Sequence, residues 1–229
     1  MKNFSINFAS PQTPNKIRTF LEKISLEDGI NYDFYLGEDA NPADIFCIAM
    51  DDYKIIGYSY AIVFEDCAEI TGIVAGDYRR QHIFADMLKM LNINKPYCFT
   101  GREIYPGFLK VCNVLGFNKI ERDYLMSATA LSHSQNTLNY EWENNFYYFY
   151  DTTDEPVGYC GIDDFCIHDV YVYPKFRRQG YGLRIMNTVF AIFPAATFLL
   201  HVEEKNTAAV KLYRRCGFDI VDTICRITR

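Results

Sequence analysis

The stretch from Ile167 to Phe193 constrains this chain most, because it orders a strand, a basic glycine-containing loop and a helix. Apolar residues alternate from Ile167 to Val172, which predicts a strand, and Pro174 ends it because proline cannot donate to a sheet ladder. Residues 175–182 then read KFRRQGYG. Beyond this loop the apolar positions recur at helical spacing: Leu183, Met186, Val189, Phe190 and Phe193.

This order of strand, basic loop and helix is suited to binding an anion. The first N–H groups of a helix have no internal partner and lie at the positive end of the helix dipole. Glycine at 180 and 182 allows close approach of a phosphate, and Arg177 and Arg178 add positive charge. A nucleotide-binding P-loop or a dinucleotide fingerprint would need other glycine spacings, which are absent here. The alternative is a basic strand-to-helix turn without a ligand.

Two sequence motifs that follow one another along the chain favour a ligand-binding loop over a turn without a ligand. Residues 177–182 fit R-x-x-G-x-G, and a second motif, N-x-x-A-x-x-L-Y-x-x-x-G-F, follows a predicted strand at residues 197–202. Its members are Asn206, Ala209, Leu212, Tyr213, Gly217 and Phe218. With both motifs the chain resembles the GNAT superfamily of N-acyltransferases. The resemblance implies an α/β (α+β) fold, a mixed and mostly antiparallel sheet flanked by helices, and acetyl-CoA as co-substrate.

The resemblance also implies which residues contact acetyl-CoA. A backbone N–H of the strand before the loop would polarise the thioester carbonyl, and the matching positions are Val170, Tyr171 and Val172. The loop and the start of its helix would hold the diphosphate. These positions, with the asparagine of the second motif, are Arg177, Arg178, Gln179, Gly180, Tyr181, Gly182, Leu183 and Asn206.

The reaction that the resemblance implies is direct attack of an amine on the acetyl thioester. A protonated amine has no lone pair, so a base must accept a proton, and the departing thiolate needs one. Tyr213 lies where the family places its general acid, although a packing role on its helix is the alternative. The base is left open between His201 and His168, because an imidazole titrates in the useful range. Asp169, Glu203 and Glu204 are weaker candidates.

An internal repeat predicts two tandem modules. Residues 74–84, VAGDYRRQHIF, align with residues 172–182, VYPKFRRQGYG, and Gly57 aligns with Gly158. The predicted domains are a degenerate GNAT-like module at 1–128, a linker at 129–144 and the acetyl-CoA-binding module at 145–229. His82 and Phe84 replace the two loop glycines in the first copy, and their side chains would crowd a phosphate.

The second copy lacks a counterpart of the helix predicted at Thr13–Ser25, and it ends at Arg229, one strand short of a full module. It is therefore expected to need contact with the first copy or with another subunit to close its sheet or groove, which makes a homodimer one prediction. The acceptor is expected to be a small-molecule or peptide amine. A non-catalytic acyl-CoA-binding or regulatory protein, and transfer of another acyl group, are the alternatives.

Bulk properties narrow the class further. The net charge of −6 and the pI near 5.3 argue against nucleic-acid binding, which needs a basic surface. The N-terminus lacks the apolar core of a signal peptide and no run is long enough for a membrane span, so a cytoplasmic location is expected. The eight cysteines form no C-x-x-C pair and are expected to be buried small hydrophobes, with no metal site.

Overall fold

The computed structural model describes residues 4–9, 14–37, 39–130 and 137–229. The chain forms two compact units, here called unit 1 and unit 2. Unit 1 comprises Met1–Ile120 with Cys225–Arg229, and unit 2 comprises Glu121–Ile224. Thr13, the first residue of the helix predicted at Thr13–Ser25, and residues 131–136 of the predicted linker lie outside the described residues.

Unit 1 contains five strands and three helices before its C-terminal segment. They are β1 (Ser5–Phe8), α1 (Pro14–Asp28), β2 (Ile45–Asp51), β3 (Lys54–Val63), β4 (Ala68–Val74), α2 (Ile83–Leu91), β5 (Tyr97–Arg102) and α3 (Phe108–Val114). The strands lie in chain order from β1 to β5, antiparallel except for the parallel pair β4–β5. Helix α1 buries Ile17, Phe20, Leu21 and Ile24, the spacing of one helix face.

Unit 2 contains the remaining strands and two helices. They are β6 (Lys119–Thr129), β7 (Asn139–Glu143), β8 (Phe146–Tyr150), β9 (Pro156–Asp163), β10 (Cys166–Val172), α4 (Tyr181–Ile192), β11 (Thr197–Glu203), α5 (Thr207–Arg215) and β12 (Asp219–Thr228). The first two residues of β6 and the last residues of β12, from Cys225, belong to unit 1. The predicted mixed α/β fold with mostly antiparallel sheets and flanking helices is confirmed.

The sheet of unit 2 has the strand order β6-β11-β10-β9-β8-β7, and only β10–β11 is parallel. Strand β11 alternates as the sequence predicts, with Phe198, Leu200 and Val202 buried and the intervening side chains exposed. The buried side chains share one core with Ile185 and Val189 of α4. Both unit 2 helices therefore pack on one face of this sheet, which we call the helix face.

The observed units differ from the predicted domains, because residues 121–128 belong to unit 2, residues 225–229 belong to unit 1, and part of the predicted linker is a strand. Residues 139–143, expected in a linker, form β7 and pair with β8 along their whole length. Asn144 and Asn145 join the two strands with φ of 50° and 66°, the left-handed pair that a tight hairpin turn requires. The polar composition of this segment predicted a linker, whereas its Asn-Asn turn signal and the alternating Tyr140 and Trp142 fit a hairpin.

The local structure of the basic loop recurs in both units. The Arg177 Nε donates to the Val172 carbonyl at 2.9 Å, and the Arg79 Nε donates to the Val74 carbonyl at 2.9 Å. In each unit this contact joins the end of a strand to a 3-10 turn that precedes a helix. The repeated Arg-Arg-Gln sequence therefore corresponds to a repeated backbone conformation.

Candidate active site

The sheet of unit 2 opens between β10 and β11. Only two residues of β10 pair with β11, Cys166 with Leu199 and Ile167 with Leu200. Beyond them β10 continues along β9 and β11 continues along β6, so that the carboxyl-terminal halves of the two parallel strands have no ladder between them. Backbone N–H and C=O groups along this opening are available to a ligand, because no neighbouring strand uses them.

A β-bulge lies at the opening. The ladder pairs His168 with Gly161 and Tyr171 with Tyr159, so β10 carries one extra residue between these pairs. Asp169 has a φ of 50°, as residues at such irregularities do. Val170 and Val172 pack against the core on the helix face, while Tyr171 stacks on Tyr159 with ring centroids 5.3 Å apart. The predicted positions 170–172 therefore form one side of the opening.

The basic loop leads from β10 into the N-terminus of α4. Arg177, Arg178, Gln179 and Gly180 are all exposed, as an anion site on the surface requires. Gly180 has a φ of 84°, and a Cβ added there would meet no atom within 4 Å, so the space beside it is open. Gln179 donates its amide to the Lys175 carbonyl at 2.7 Å and thereby closes the loop on itself.

The first turn of α4 carries Tyr181, Gly182, Leu183 and Arg184. A Cβ at Gly182 would lie 3.0 Å from a methyl group of Leu212, so the close packing of α5 on α4 is one reason for this glycine. The guanidinium of Arg184 lies over the Tyr181 ring at 5.1 Å, and its buried Nε has no hydrogen-bond partner. Arg184 was not singled out from the sequence, although its position in the first helical turn was an available signal. A guanidinium with an unpaired Nε and an open glycine at a helix N-terminus fit a phosphate group.

Asn206 has a structural role of its own. Its side chain accepts a hydrogen bond from the Ala209 N–H at 3.2 Å and caps α5. This contact explains the N-x-x-A part of the second motif, since the asparagine and the alanine are the two ends of the cap. The exposed Asn206 thus positions the helix that carries Tyr213.

Tyr213 lies on the helix face, in the core of unit 2. Only 7% of the residue is exposed, and its ring packs against Phe218 at 5.9 Å. Burial raises the pKa of Tyr213 to about 12, so the phenol stays protonated at neutral pH. The hydroxyl therefore carries the proton that a general acid would have to donate.

The two candidate bases lie on the opposite face. Ile167 and Leu200 pair with their side chains in the core, so the next residues, His168 and His201, point away from the helices. His201 is exposed. Tyr213 therefore lies on the helix face of the sheet, whereas His168 and His201 lie on the opposite face. The two histidines belong to β10 and β11, the strands that border the opening.

His168 is held by two carboxylates. Its Nδ1 lies 3.0 Å from an Asp169 oxygen and its Nε2 lies 3.0 Å from an Asp163 oxygen. The hydrogen bond with Asp169 and then the one with Asp163 raise the pKa of His168 above 6.5, against the opposing effect of partial burial. The ring lies over Gly161, where a Cβ would be 2.1 Å from its Cε1 atom. Asp163 was not singled out from the sequence, because its contact depends on the β9–β10 register.

Among the described residues, no group of three or more His, Cys, Asp or Glu side chains is placed to hold a metal ion. No helix in the described ranges combines the length and the apolar character that a membrane span needs. Five of the eight free cysteines, at 47, 98, 112, 160 and 225, are buried.

Comparison with known proteins finds a family match in the second half of the chain. Residues 117–218 match the sequence model of the acetyltransferase (GNAT) family. Two curated proteins match parts of the chain: an uncharacterised protein of Mycobacterium leprae, 30% identical over 76 residues, and the peptidyl-lysine N-acetyltransferase YjaB of Salmonella typhimurium, 31% identical over 67 residues. The alignments cover 30% and 29% of this chain, and only 21% and 45% of those relatives.

Solved structures resemble the whole chain. A GCN5-related N-acetyltransferase from Sphaerobacter thermophilus superposes with a TM-score of 0.71 at 13% identity, covering 98% of this chain and 94% of that one. A tandem GNAT protein from the clavulanic acid biosynthesis pathway gives a TM-score of 0.65 at 10% identity, covering 98% of both chains. At such identities the likeness establishes the GNAT fold and leaves the chemistry to the residues of the site.

Proposed function

We propose that unit 2 is an acetyl-CoA-dependent N-acetyltransferase and that unit 1 is a degenerate copy of the same module. The opening between β10 and β11 carries this proposal, because it places an unpaired strand edge between a basic helix N-terminus and a set of proton-transfer groups. The GNAT match of residues 117–218 supports acetyl transfer as the reaction class.

The basic loop would bind the diphosphate of acetyl-CoA. Arg177 and Arg178 supply charge, and Gly180 leaves room for a phosphate at the first N–H groups of α4. The acyl arm would follow the free edge of β10 into the opening. There a backbone N–H within positions 170–172 would donate to the thioester oxygen as negative charge develops on it.

The acceptor amine attacks the thioester carbon, a C–N bond forms, and the C–S bond breaks. One ring nitrogen of His168 accepts the proton that the amine must lose, with the amine taking the place of the carboxylate on that nitrogen, and the carboxylate on the other nitrogen stabilises the imidazolium that results. Tyr213, protonated and buried on the other face, donates a proton to the departing thiolate. His201 is the alternative base, since it lies on the same face at the neighbouring strand.

Unit 1 contains a filled version of the same opening. Strand β4 pairs with β5 at only three positions and then diverges. The ring of Phe84 lies 2.6 Å from where a Cβ of Gly72 would be, and its centroid is 6.0 Å from that of Phe99. Phe84 therefore packs inward between these strands, instead of crowding the helix N-terminus as expected from the sequence. His82 has a φ of 63° at the position of Gly180.

Two measurements test the proposal. Calorimetric titration with acetyl-CoA should show one site per chain, and Arg178→Ala together with Gly180→Val should weaken it, whereas Arg80→Ala in unit 1 is the matched control. Release of free thiol should then be followed while a panel of amines is offered. Binding without thiol release from any amine would identify a non-catalytic acyl-CoA-binding protein instead. If acetyl-CoA does not bind at all, both the proposed acetyltransferase and the acyl-CoA-binding alternative are refuted.

A further inference from the structure

The sheet face of unit 2 opposite its helices is rich in aromatic residues. Core side chains such as Phe149 and Cys160 point to the helix face, and the alternate positions of β8, β9 and β10 point the other way. We call this surface the aromatic face. It is formed by Phe146, Tyr148, Tyr150, Tyr159, His168, Tyr171 and Tyr173. In unit 1, α1 packs against β3, but no helix precedes β9 within the described part of unit 2.

The strand register arranges these side chains in rows. Tyr148 pairs with Tyr159, and Tyr159 pairs with Tyr171, so three rings lie side by side across three strands. Their neighbouring centroids are 6.0 and 5.3 Å apart. In the next row Phe146 pairs with Gly161, and the His168 ring occupies the space that Gly161 leaves. This second row therefore ends at the candidate base, beside the row of tyrosines.

Four carboxylates border this face. Glu141 is paired with Tyr148 and Glu143 with Phe146, so both glutamates extend the same two rows onto β7. Asp163 and Asp169 contact His168 and are well exposed, at 63% and 68% of their side chains. Within the described ranges none of these four carboxylates forms an ion pair with a lysine or arginine.

Tyrosine rings bordered by carboxylates attract cations. The chain itself shows this at one end, where the Arg177 guanidinium lies 5.2 Å from the centre of the Tyr171 ring. The rows of Tyr159 and of His168 are two residues apart along β9, which corresponds to about 6.6 Å. A ligand with two positive groups at this separation would contact both rows.

We infer that the aromatic face binds the acceptor and that the acceptor is an aliphatic amine with a second positive charge. Its reacting amine lies at His168, and its second ammonium group lies over the Tyr159 ring, in the tyrosine row that Glu141 extends. This inference rests on the proposed function for the identity of the reaction, but the binding of the cation depends only on the face itself.

Three probes of one chain length test it: 1,5-diaminopentane, 1-aminopentane and 5-aminopentanoate. They offer the same reacting amine with a positive, neutral or negative far end. We expect the kcat/KM for the diamine to exceed that for the monoamine about tenfold, with the amino acid poorest, because cation–π contact and charge attraction both favour the diamine. Lysyl-lysine with blocked termini is offered in parallel. Its kcat/KM, compared with that of the diamine, tells whether a free diamine or a pair of neighbouring lysine side chains is the better acceptor.

Variants locate the effect. Glu141→Gln combined with Glu143→Gln should remove most of the preference for the diamine while leaving the rate with the monoamine unchanged. Tyr159→Leu should raise the KM for the diamine about threefold, and Tyr159→Phe, which keeps the ring, should restore it. Asp219→Asn is the matched control, an exposed carboxylate on β12, outside the four strands β7–β10 that carry the face and its glutamates.

Calorimetric titration of the protein with 1,5-diaminopentane alone separates the two proposals. If the diamine binds and the double glutamine variant loses that binding, the face is a cation site even where no thiol is released. If thiol is released equally from all three probes and the variants change nothing, the inference is overturned while the proposed function stands. If the diamine alone does not bind and thiol is again released equally from all three probes, the inference is also overturned and the proposed function also stands.

Discussion

A methyl group at position 161 tests whether His168 must lie where the structure places it. A Cβ there would be 2.1 Å from the His168 Cε1 and 2.5 Å from its Nε2. Because carbon atoms pack at about 3.5 Å, Gly161→Ala should displace the ring by about 1.4 Å. The hydrogen bonds of 3.0 Å to Asp163 and Asp169 then exceed hydrogen-bond length. A misplacement of about 1 Å costs roughly 100-fold in rate, so kcat should fall by about that factor.

The assay is thiol release at saturating acetyl-CoA, with thermal unfolding and acetyl-CoA affinity measured on the same protein. Both of the latter should change little, because the atoms that meet the new methyl group belong to a side chain that can rotate. His168→Ala should abolish the effect of Gly161→Ala, since the ring is then absent. Gly76→Ala, which meets no atom within 4 Å, is the control. An undiminished kcat in Gly161→Ala would refute His168 as the base and leave His201.

Three further predictions use the same assays. Tyr213→Phe should lower kcat at least tenfold with little change in acetyl-CoA affinity, because only the proton donor is lost; an unchanged rate would exclude this role. The pH profile of kcat should rise through a midpoint above 6.5, because the pKa of His168 is raised and only the neutral imidazole accepts a proton; Asp169→Asn should move that midpoint to lower pH, and a midpoint that stays fixed would contradict the assignment. Gly180→Val should destabilise the fold by about 1–2 kcal/mol in chemical denaturation, because a side chain resists its φ of 84°, whereas Gly76→Val should cost less.

The residues of the basic loop could be interpreted from sequence because their conformation is local. Glycine at 180 predicts a left-handed residue before a helix, and the structure has one there. The alternation in β11 and the helical spacing in α4 likewise depend on residues a few positions apart. The repeated Arg-Arg-Gln sequence also corresponds to a repeated structure, because Arg79 and Arg177 make the same contact with a valine carbonyl.

Other parts of the site depend on neighbours that are distant in sequence. Gly182 was expected to give room to a phosphate, but the structure also packs Leu212 against it. Asn206 was expected to contact acetyl-CoA, and it caps its own helix. Phe84 was expected to block a helix N-terminus, and it packs between two strands of unit 1. In each case the structure adds a contact that was not predicted from the sequence.

The sequence by itself determined the order strand, basic loop, helix and the chemistry of the groups on them, because hydrophobic period and glycine placement act within a few residues. Only the tertiary structure decided that the sheet opens between β10 and β11, that Tyr213 lies on one face and His168 on the other, and that Asp163 reaches His168. These features follow from strand register, and register is set by pairing between segments whose separation along the chain no local pattern records.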